Sequence, residues 1–537
     1  MNLLLPLVPL LPVLMLLALI SPVTRGRVMG ALWLAPLPAL LIAPLAMGSS
    51  LVLYPGGIKI TLLLDAPGAL LLGGAALLWS AAGVFARAQM GTGPRAKRFA
   101  AWWLLTLAGC LGVFIAGDLL SFYLAFAVVS LAAFGLVAHD GSPKARRAGG
   151  LYLLLAVLGE IALLLAFALL HGRAGIESVA IADVAPVLRT TPGGSVIALL
   201  LILGFGIKMG LMPLHVWLPI AHPAAPAPGS AVLSGAIIKA GVIGLIRFLP
   251  FDGVPAPDGV WLAALGFVTA YWGVAMGLTQ RNPKTILAYS SVSQMGVVAA
   301  VFGMGLALGI AETPLHAAFY ALHHMLAKGA LFLGVGLALA TGPAGRAWVL
   351  PLALLLALGF GGLPPTGGAL VKAATKPELG AGLAAMAGML SAFGSTALML
   401  HFVQRLRAAM QEAPAATLHW GLAGPWLVLA VAALALPWAL YGVVTGKAPE
   451  GVWSISAIAP VLAGVAFALF WARIFQRVPE VQAGDVLVFA ERGSPMRDAM
   501  ARAVVGLEHA TRPWPVAGIA LMLLILAFYG LMVGIRG

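Results

Sequence analysis

The chain has 537 residues, 62% of them hydrophobic and only 9% charged, with a mean hydropathy of +1.04. A water-soluble protein of this length needs roughly a quarter charged residues to cover its surface, so a soluble globular domain is excluded and lipid is the main solvent. The net charge of +14 does not point to nucleic acid, because the cations sit in short loops between apolar runs, as membrane topology demands.

A bilayer core takes about 20 apolar residues per helix. Cut into such units, the chain gives sixteen candidate spans, centred near residues 11, 38, 75, 108, 128, 160, 206, 240, 269, 297, 327, 358, 391, 432, 464 and 524. The expected fold class is an all-α polytopic membrane protein with about 14–16 transmembrane helices. Residues 1–98 form the N-terminal helices; the apolar run from Met1 has no basic leader and reads as a spanning helix rather than a signal peptide. Cys110, the single cysteine, lies in the fourth span and excludes an intrachain disulfide or a thiolate cluster for zinc or iron–sulfur.

Residues 99–250 hold five spans. The sixth carries Glu160, and the seventh carries Lys208 and then breaks at GLMPLHVWLPIAHPAAPAPGS, with His215 seven residues after Lys208, near the same face. The eighth carries Lys239. Residues 259–407 hold five more. In the eleventh, His316, Tyr320, His324 and Lys328 recur every four residues and form one stripe, with His323 beside it. No carboxylate or thiol joins this stripe in sequence, which argues against a metal. The twelfth breaks at GFGGLPPTGGALVK, with Lys372 just past the break. Pro and Gly this dense cannot continue a helix, and broken helices with a charge at the break point to a transport site. A broken helix stands fourth in each block of five, and an odd count reverses the second block's entry side, so the two read as inverted repeats. Residues 415–537 hold the remaining helices, with an amphipathic segment near 475–513.

With the Arg25/Arg27 loop on the cytoplasmic side and the loops alternating, twenty Lys/Arg fall on that side and seven opposite, leaving Lys208, Lys239, Lys328 and Lys372 inside spans. Both termini are then expected to face away from the cytoplasm. A charge at bilayer depth costs about 2.5–3.5 kcal/mol on insertion scales. Four lysines and Glu160 therefore argue for a hydrated polar path, along which lysine and histidine can relay protons. Helix–helix hydrogen bonding is the plainer reading of the stripe.

KMGLMPLHVWLPIAHPAAPAPGSAVLSGAIIKAGVIGLIRF (208–248), PKTILAYSSVSQMG (283–296), HHMLAKGALFLGVG (323–336) and GLPPTGGALVK (362–372) resemble, in order, the motifs of the antiporter-like proton-translocating subunits of complex I, Mrp antiporters and group 4 hydrogenases. AHPAAPAPGSAVLSG is most similar to the hydrogenase-4 component B and formate hydrogenlyase branch. The resemblance implies fourteen core helices with two inverted repeats and a lateral polar axis. It assigns Lys208 to the glutamate-paired lysine, Lys239 to the central axis, His324 and Lys328 to the linking pair, and Lys372 to the terminal lysine. It also places a glutamate where FAVVSL (126–131) has Ala127; relocation of that carboxylate to Glu160 is the expectation, loss of pumping the alternative.

The expected function is proton translocation within a redox-driven complex of the bacterial inner membrane. The chain itself is expected to carry no catalytic residue, cofactor or metal. Its expected partners are lipid, other hydrophobic subunits and a hydrophilic arm with iron–sulfur subunits. The rivals are an Mrp-type cation/proton antiporter subunit, and a non-pumping scaffold or energy-coupling subunit for inorganic carbon uptake.

Overall fold

The computed structural model describes residues 2–54, 59–91, 93–174, 180–184, 187–190, 193–450, 452–475, 480–482 and 485. The span expected at 524 and most of the 475–513 segment lie outside these residues. Every other expected span centre falls inside a helix. In chain order the helices begin with α1 (Leu7–Ala18), α2 (Pro22–Gly30) and α3 (Leu37–Leu45), then α4 (Ala66–Met90), α5 (Pro94–Ile115), α6 (Leu119–Val137) and α7 (Pro143–Ala174). Short α8 (Ile181–Val184) and α9 (Val187–Thr190) lead to α10 (Gly194–Met209), α11 (Trp217–Ala224), α12 (Ala227–Val232) and α13 (Lys239–Phe248). Then come α14 (Gly259–Leu278), α15 (Pro283–Leu308), α16 (Thr313–Thr341), α17 (Arg346–Gly361), α18 (Gly367–Ala374) and α19 (Lys376–Leu379). The series closes with α20 (Gly382–Glu412), α21 (Trp420–Thr445) and α22 (Ile455–Phe475).

Among the described residues, ten helices are long and apolar enough to cross a bilayer alone, or eleven counting one bent pair. The other expected spans are shorter apolar helices (Asn2–Ala18, Gly194–Met209, Ile455–Phe470), or, for the twelfth, a helix that continues from α16 through the tight turn Gly342–Gly345. The second expected span is not straight: it bends by 66° between Pro22–Gly30 and Leu32–Leu45. Gly30, Pro36 and Pro38 surround the bend, and Pro removes the backbone donor that would carry the helix through. An antiparallel hairpin, β1 (Ser50–Leu53) and β2 (Ile60–Leu63), was not expected from the apolar pattern.

The hairpin fixes one face of the bundle. Leu62 pairs with Ala116, Asp118 with Ala180, and buried Arg247 donates to the carbonyls of Val113, Phe114 and Ala116 and to Asp65. Arg189 grips Asp252 through two nitrogens at 2.8 and 2.7 Å on the same side. The opposite face carries the loop before α15, where Arg405 donates to the Arg281 carbonyl and Arg281 pairs with Glu480. The basic loops therefore lie across the bundle from the hairpin.

Burial sorts the helices. The Ala227–Phe248 span is wholly buried and α15 and the α16–α17 run are 83% buried, against 33% for α21. The segments bearing Lys239 and Lys328 thus lie inside the bundle, whereas α10, which bears Lys208, shows Val196 and Leu199 at its surface. Close crossings depend on glycine: a Cβ on Gly159 would lie 3.3 Å from the Gly204 carbonyl, and one on Gly241 2.5 Å from the Phe205 carbonyl. Small residues at such crossings let backbones approach, which draws α7 and α13 onto α10.

Candidate functional site

The first break follows from Gly210, which adopts φ 81°, a left-handed conformation open to glycine, and ends α10 two residues after Lys208. Lys208 is 4% exposed, too deep to snorkel. Its ammonium donates to the Tyr152 hydroxyl at 3.4 Å and sits over the rings of Phe126 and Tyr152 at 5.2 and 5.6 Å, a cation–π setting that offsets part of its desolvation. Tyr152 in turn donates to the Ser130 carbonyl. Glu160, also buried, lies across the Gly159–Gly204 crossing and is the electrostatic partner of Lys208. Its Oε1 accepts no hydrogen bond from the described residues.

Lys239 is fully buried. The helix leading to it widens into a π-turn at Leu233–Ile237, a distortion common at functional sites. The turn lets Lys239 Nζ donate to the Ser234 carbonyl at 3.1 Å and meet His324 Nδ1 at 2.5 Å. An ammonium or a neutral amine at Lys239 pairs with the complementary tautomer of His324, so this contact can carry a proton in either direction. The contact joins the two blocks of five spans directly.

The stripe on α16 holds its spacing. Tyr320 donates to Gln294 at 2.6 Å, and Gln294 donates to Ser395. Lys328 donates to the Leu287 carbonyl at 3.0 Å and lies over the Phe360 ring at 4.7 Å. His323 is buried against Phe360 and the Gly367 turn. One expectation is corrected: a carboxylate does join the stripe, because Glu378 on α19 meets His316 Nδ1 at 2.8 Å. The second break repeats the form of the first. Gly362, at φ 95°, ends α17, and Lys372 on α18 turns back to donate to the Gly361 carbonyl at 2.9 Å. A cavity of about 340 Å³, lined by Tyr320, Lys372, Thr375, Lys376, Ser391 and Ser456 among others, opens beside it.

His215 does not share its surroundings with Lys208. Beyond the Gly210 turn, its Nε2 meets Asp485 Oδ2 at 3.2 Å, and the same oxygen accepts from Tyr289 at 2.9 Å and Trp272 Nε1 at 3.2 Å. Asp485 is fully buried, so part of the segment expected to be amphipathic reaches into the bundle. Gln280 holds its approach by donating to the Val481 carbonyl. Asp485→Leu is expected to leave these donors unmade at about 1–3 kcal/mol each, while Asp485→Asn keeps an acceptor. A clear fall in the thermal midpoint of the detergent-extracted protein for Leu but not Asn checks this; equal midpoints would mean the contact contributes nothing.

The arrangement thus brings together Lys208 with Glu160, Lys239 with His324, and Lys372 with the cavity, and it leaves His215 apart. Glu378, Asp485, Gln294, Tyr289 and the π-turn had no signal in the span pattern. Only the adjacency of Glu378 to the second break, in KPELG, marked it at all. Among the described residues no group of three His, Cys, Asp or Glu could hold a metal ion. What remains is a row of buried proton donors and acceptors across the bundle.

Residues 116–401 match the family described as NADH:quinone oxidoreductase/Mrp antiporter, TM. Hydrogenase-4 component B of Escherichia coli is 33% identical over 242 residues, 43% of this chain and 36% of that protein. NADH-quinone oxidoreductase subunit N of Desulforudis audaxviator is 34% identical over 284 residues, 50% of this chain and 56% of that protein. The chain thus spans less than two thirds of the length of these curated relatives. Among solved structures, the Mrp complex from Dietzia sp. DQ12-45-1b contains a chain that superposes with a TM-score of 0.76 at 23% identity, covering 99% of this chain and 62% of that one. This likeness establishes a shared fold.

Proposed function

Because the chain belongs to the NADH:quinone oxidoreductase/Mrp antiporter transmembrane family, whose match takes in more than half of it, we propose that it translocates protons across the membrane as the antiporter-like subunit of a redox-driven complex. The observation that carries this reading is the Lys239–His324 contact. It links a titratable lysine on one block to a histidine on the other, both fully buried. In this proposal Glu160 takes the role of the carboxylate missing at Ala127, and its charge biases Lys208. Protons pass from Lys208 to Lys239, then to His324, with His323 and Lys328 alongside, and reach Lys372. The two blocks, 99–250 and 259–407, act as inverted repeats with one break each.

A neighbour supplies the drive. The proposed assembly has other hydrophobic subunits and an iron–sulfur arm in a bacterial inner membrane, with the basic loops cytoplasmic. The Mrp-type reading, in which sodium is exchanged, draws on the fold shared with the Mrp complex chain. Inverted vesicles holding the intact complex separate the two. Donor-dependent proton uptake independent of sodium supports the redox-driven reading. Sodium-dependent exchange without an electron donor supports the antiporter, and no uptake in either condition overturns both.

A further inference from the structure

We propose that Glu378 and His316 form the group through which the proton row exchanges with the compartment opposite the basic loops. The proposal rests on the proton-translocating reading above and extends it to residues that reading leaves unused.

Glu378 is 1% exposed although it lies on a four-residue helix between the second break and α20. Its Oε1 accepts from His316 Nδ1 at 2.8 Å and from the Thr313 hydroxyl at 3.1 Å. Its Oε2 has no hydrogen-bond partner among the described residues. A buried carboxylate oxygen without a partner is costly, so a merely structural clamp would be expected to satisfy it. A carboxylate that binds and sheds a proton needs one oxygen free.

Position supports the same conclusion. His316 is in the first turn of α16, and Lys328 lies twelve residues further along, about 18 Å at 1.5 Å per residue. Lys328 is tied to Leu287 near the start of α15, beside the Arg281 and Lys284 loop. His316 and Glu378 are therefore at the other face. The cavity beside Lys372 opens on this side, with exposed Lys376 on its rim and Tyr320, one turn from His316, in its wall. The titratable groups on the elements packed around Glu378 are few: His316, which it contacts, Tyr320 on α16, Lys372 on α18, Lys376 on its own helix, and exposed Glu312 before α16. The outer turns of α15 and the first turns of α20 contribute none.

The chemistry balances without a further reactant. A carboxylate can only accept, so His316 bears its proton on Nδ1 and can take another on Nε2. The imidazolium then passes the Nδ1 proton to Glu378 Oε1, leaving a neutral imidazole protonated on Nε2. The Glu378 carboxyl then rotates to carry this proton to its unpartnered side and sheds it to the outer compartment, and tautomer exchange in His316 restores the start. The reverse sequence admits a proton from outside.

The test uses the intact complex in vesicles that expose the Arg281 and Arg405 loops outward and are loaded with buffers of stepped lumenal pH. Wild type is expected to show a transport rate that responds to lumenal pH. Glu378→Gln, nearly isosteric, is expected to lose roughly tenfold or more of the rate, as removal of a proton-transfer group does. What remains should no longer respond to lumenal pH, while Glu378→Asp restores the response in part. His316→Gln, which keeps a donor but cannot relay, should behave like Glu378→Gln and stands in for it if that variant does not assemble. Wild-type rate and pH response in either assembled variant overturns the proposal. Lys239→Ala distinguishes the two levels: if it also transports normally, the proton-translocating reading fails, and if it alone is inactive, only the exchange group is wrong.

Discussion

Lys239→Ala is expected to abolish proton translocation while the complex assembles and its attached partner still turns over. Lys239 is fully buried, and its ammonium makes the contact that spans the two blocks. Removing it deletes the packing of three methylenes, about 2–3 kcal/mol at ~0.8 kcal/mol each. It also removes a buried charge that costs about 2.5–3.5 kcal/mol to insert. The two terms offset, so the fold tolerates the change. Transport does not, because His324 loses the lysine contact that joins it to the first block; a loss of at least about 100-fold is expected. Lys239→Arg sharpens the result. Arginine keeps the charge but does not release its proton in proteins, so it should be as inactive as alanine. Proton uptake by inverted vesicles, normalised to the amount of assembled subunit, measures both. Uptake above a tenth of wild type in either variant would sink the idea of a relay through this residue.

Glu160→Gln is the second large effect expected. The side chain keeps its shape and its buried place on α7, but the negative charge facing Lys208 is gone. Because Gln leaves the buried Lys208 without its counter-charge, the extracted protein should melt below wild type. Proton uptake should fall tenfold or more, since Lys208 then lacks the charge that sets its proton affinity. An unchanged uptake would mean that the carboxylate missing at Ala127 has not moved to Glu160, and would favour a subunit that anchors a partner without pumping.

Much of this was legible in the sequence because the bilayer imposes a length and a cost. Spans announce themselves by about 20 apolar residues, so the centres from 11 to 464 all fall in helices. The breaks at Gly210 and Gly362 were legible because clustered Pro and Gly exclude a regular helix. The lysines were legible because a charge there is expensive. What escaped has no periodic signature. Glu378 reads as a loop residue, since nothing in KPELG tells of the fold-back onto the first turn of α16. The π-turn before Lys239 consists of ordinary helix-compatible residues, LSGAI. The place of His215 was misread because spacing along a helix no longer applies once Gly210 has turned the chain. Asp485 could not be paired by any local rule, because its partner His215 is 270 residues away.

That separation has a consequence in time. A ribosome adding roughly 5–20 residues per second delivers Asp485 some 15–50 s after His215. The first broken helix enters the membrane without its acceptor, and only the last part of translation provides it. The shared acceptor of His215, Trp272 and Tyr289 is therefore the last of the four to be made, and completion of the polypeptide, rather than insertion of its helices, closes the basic-loop side of the bundle.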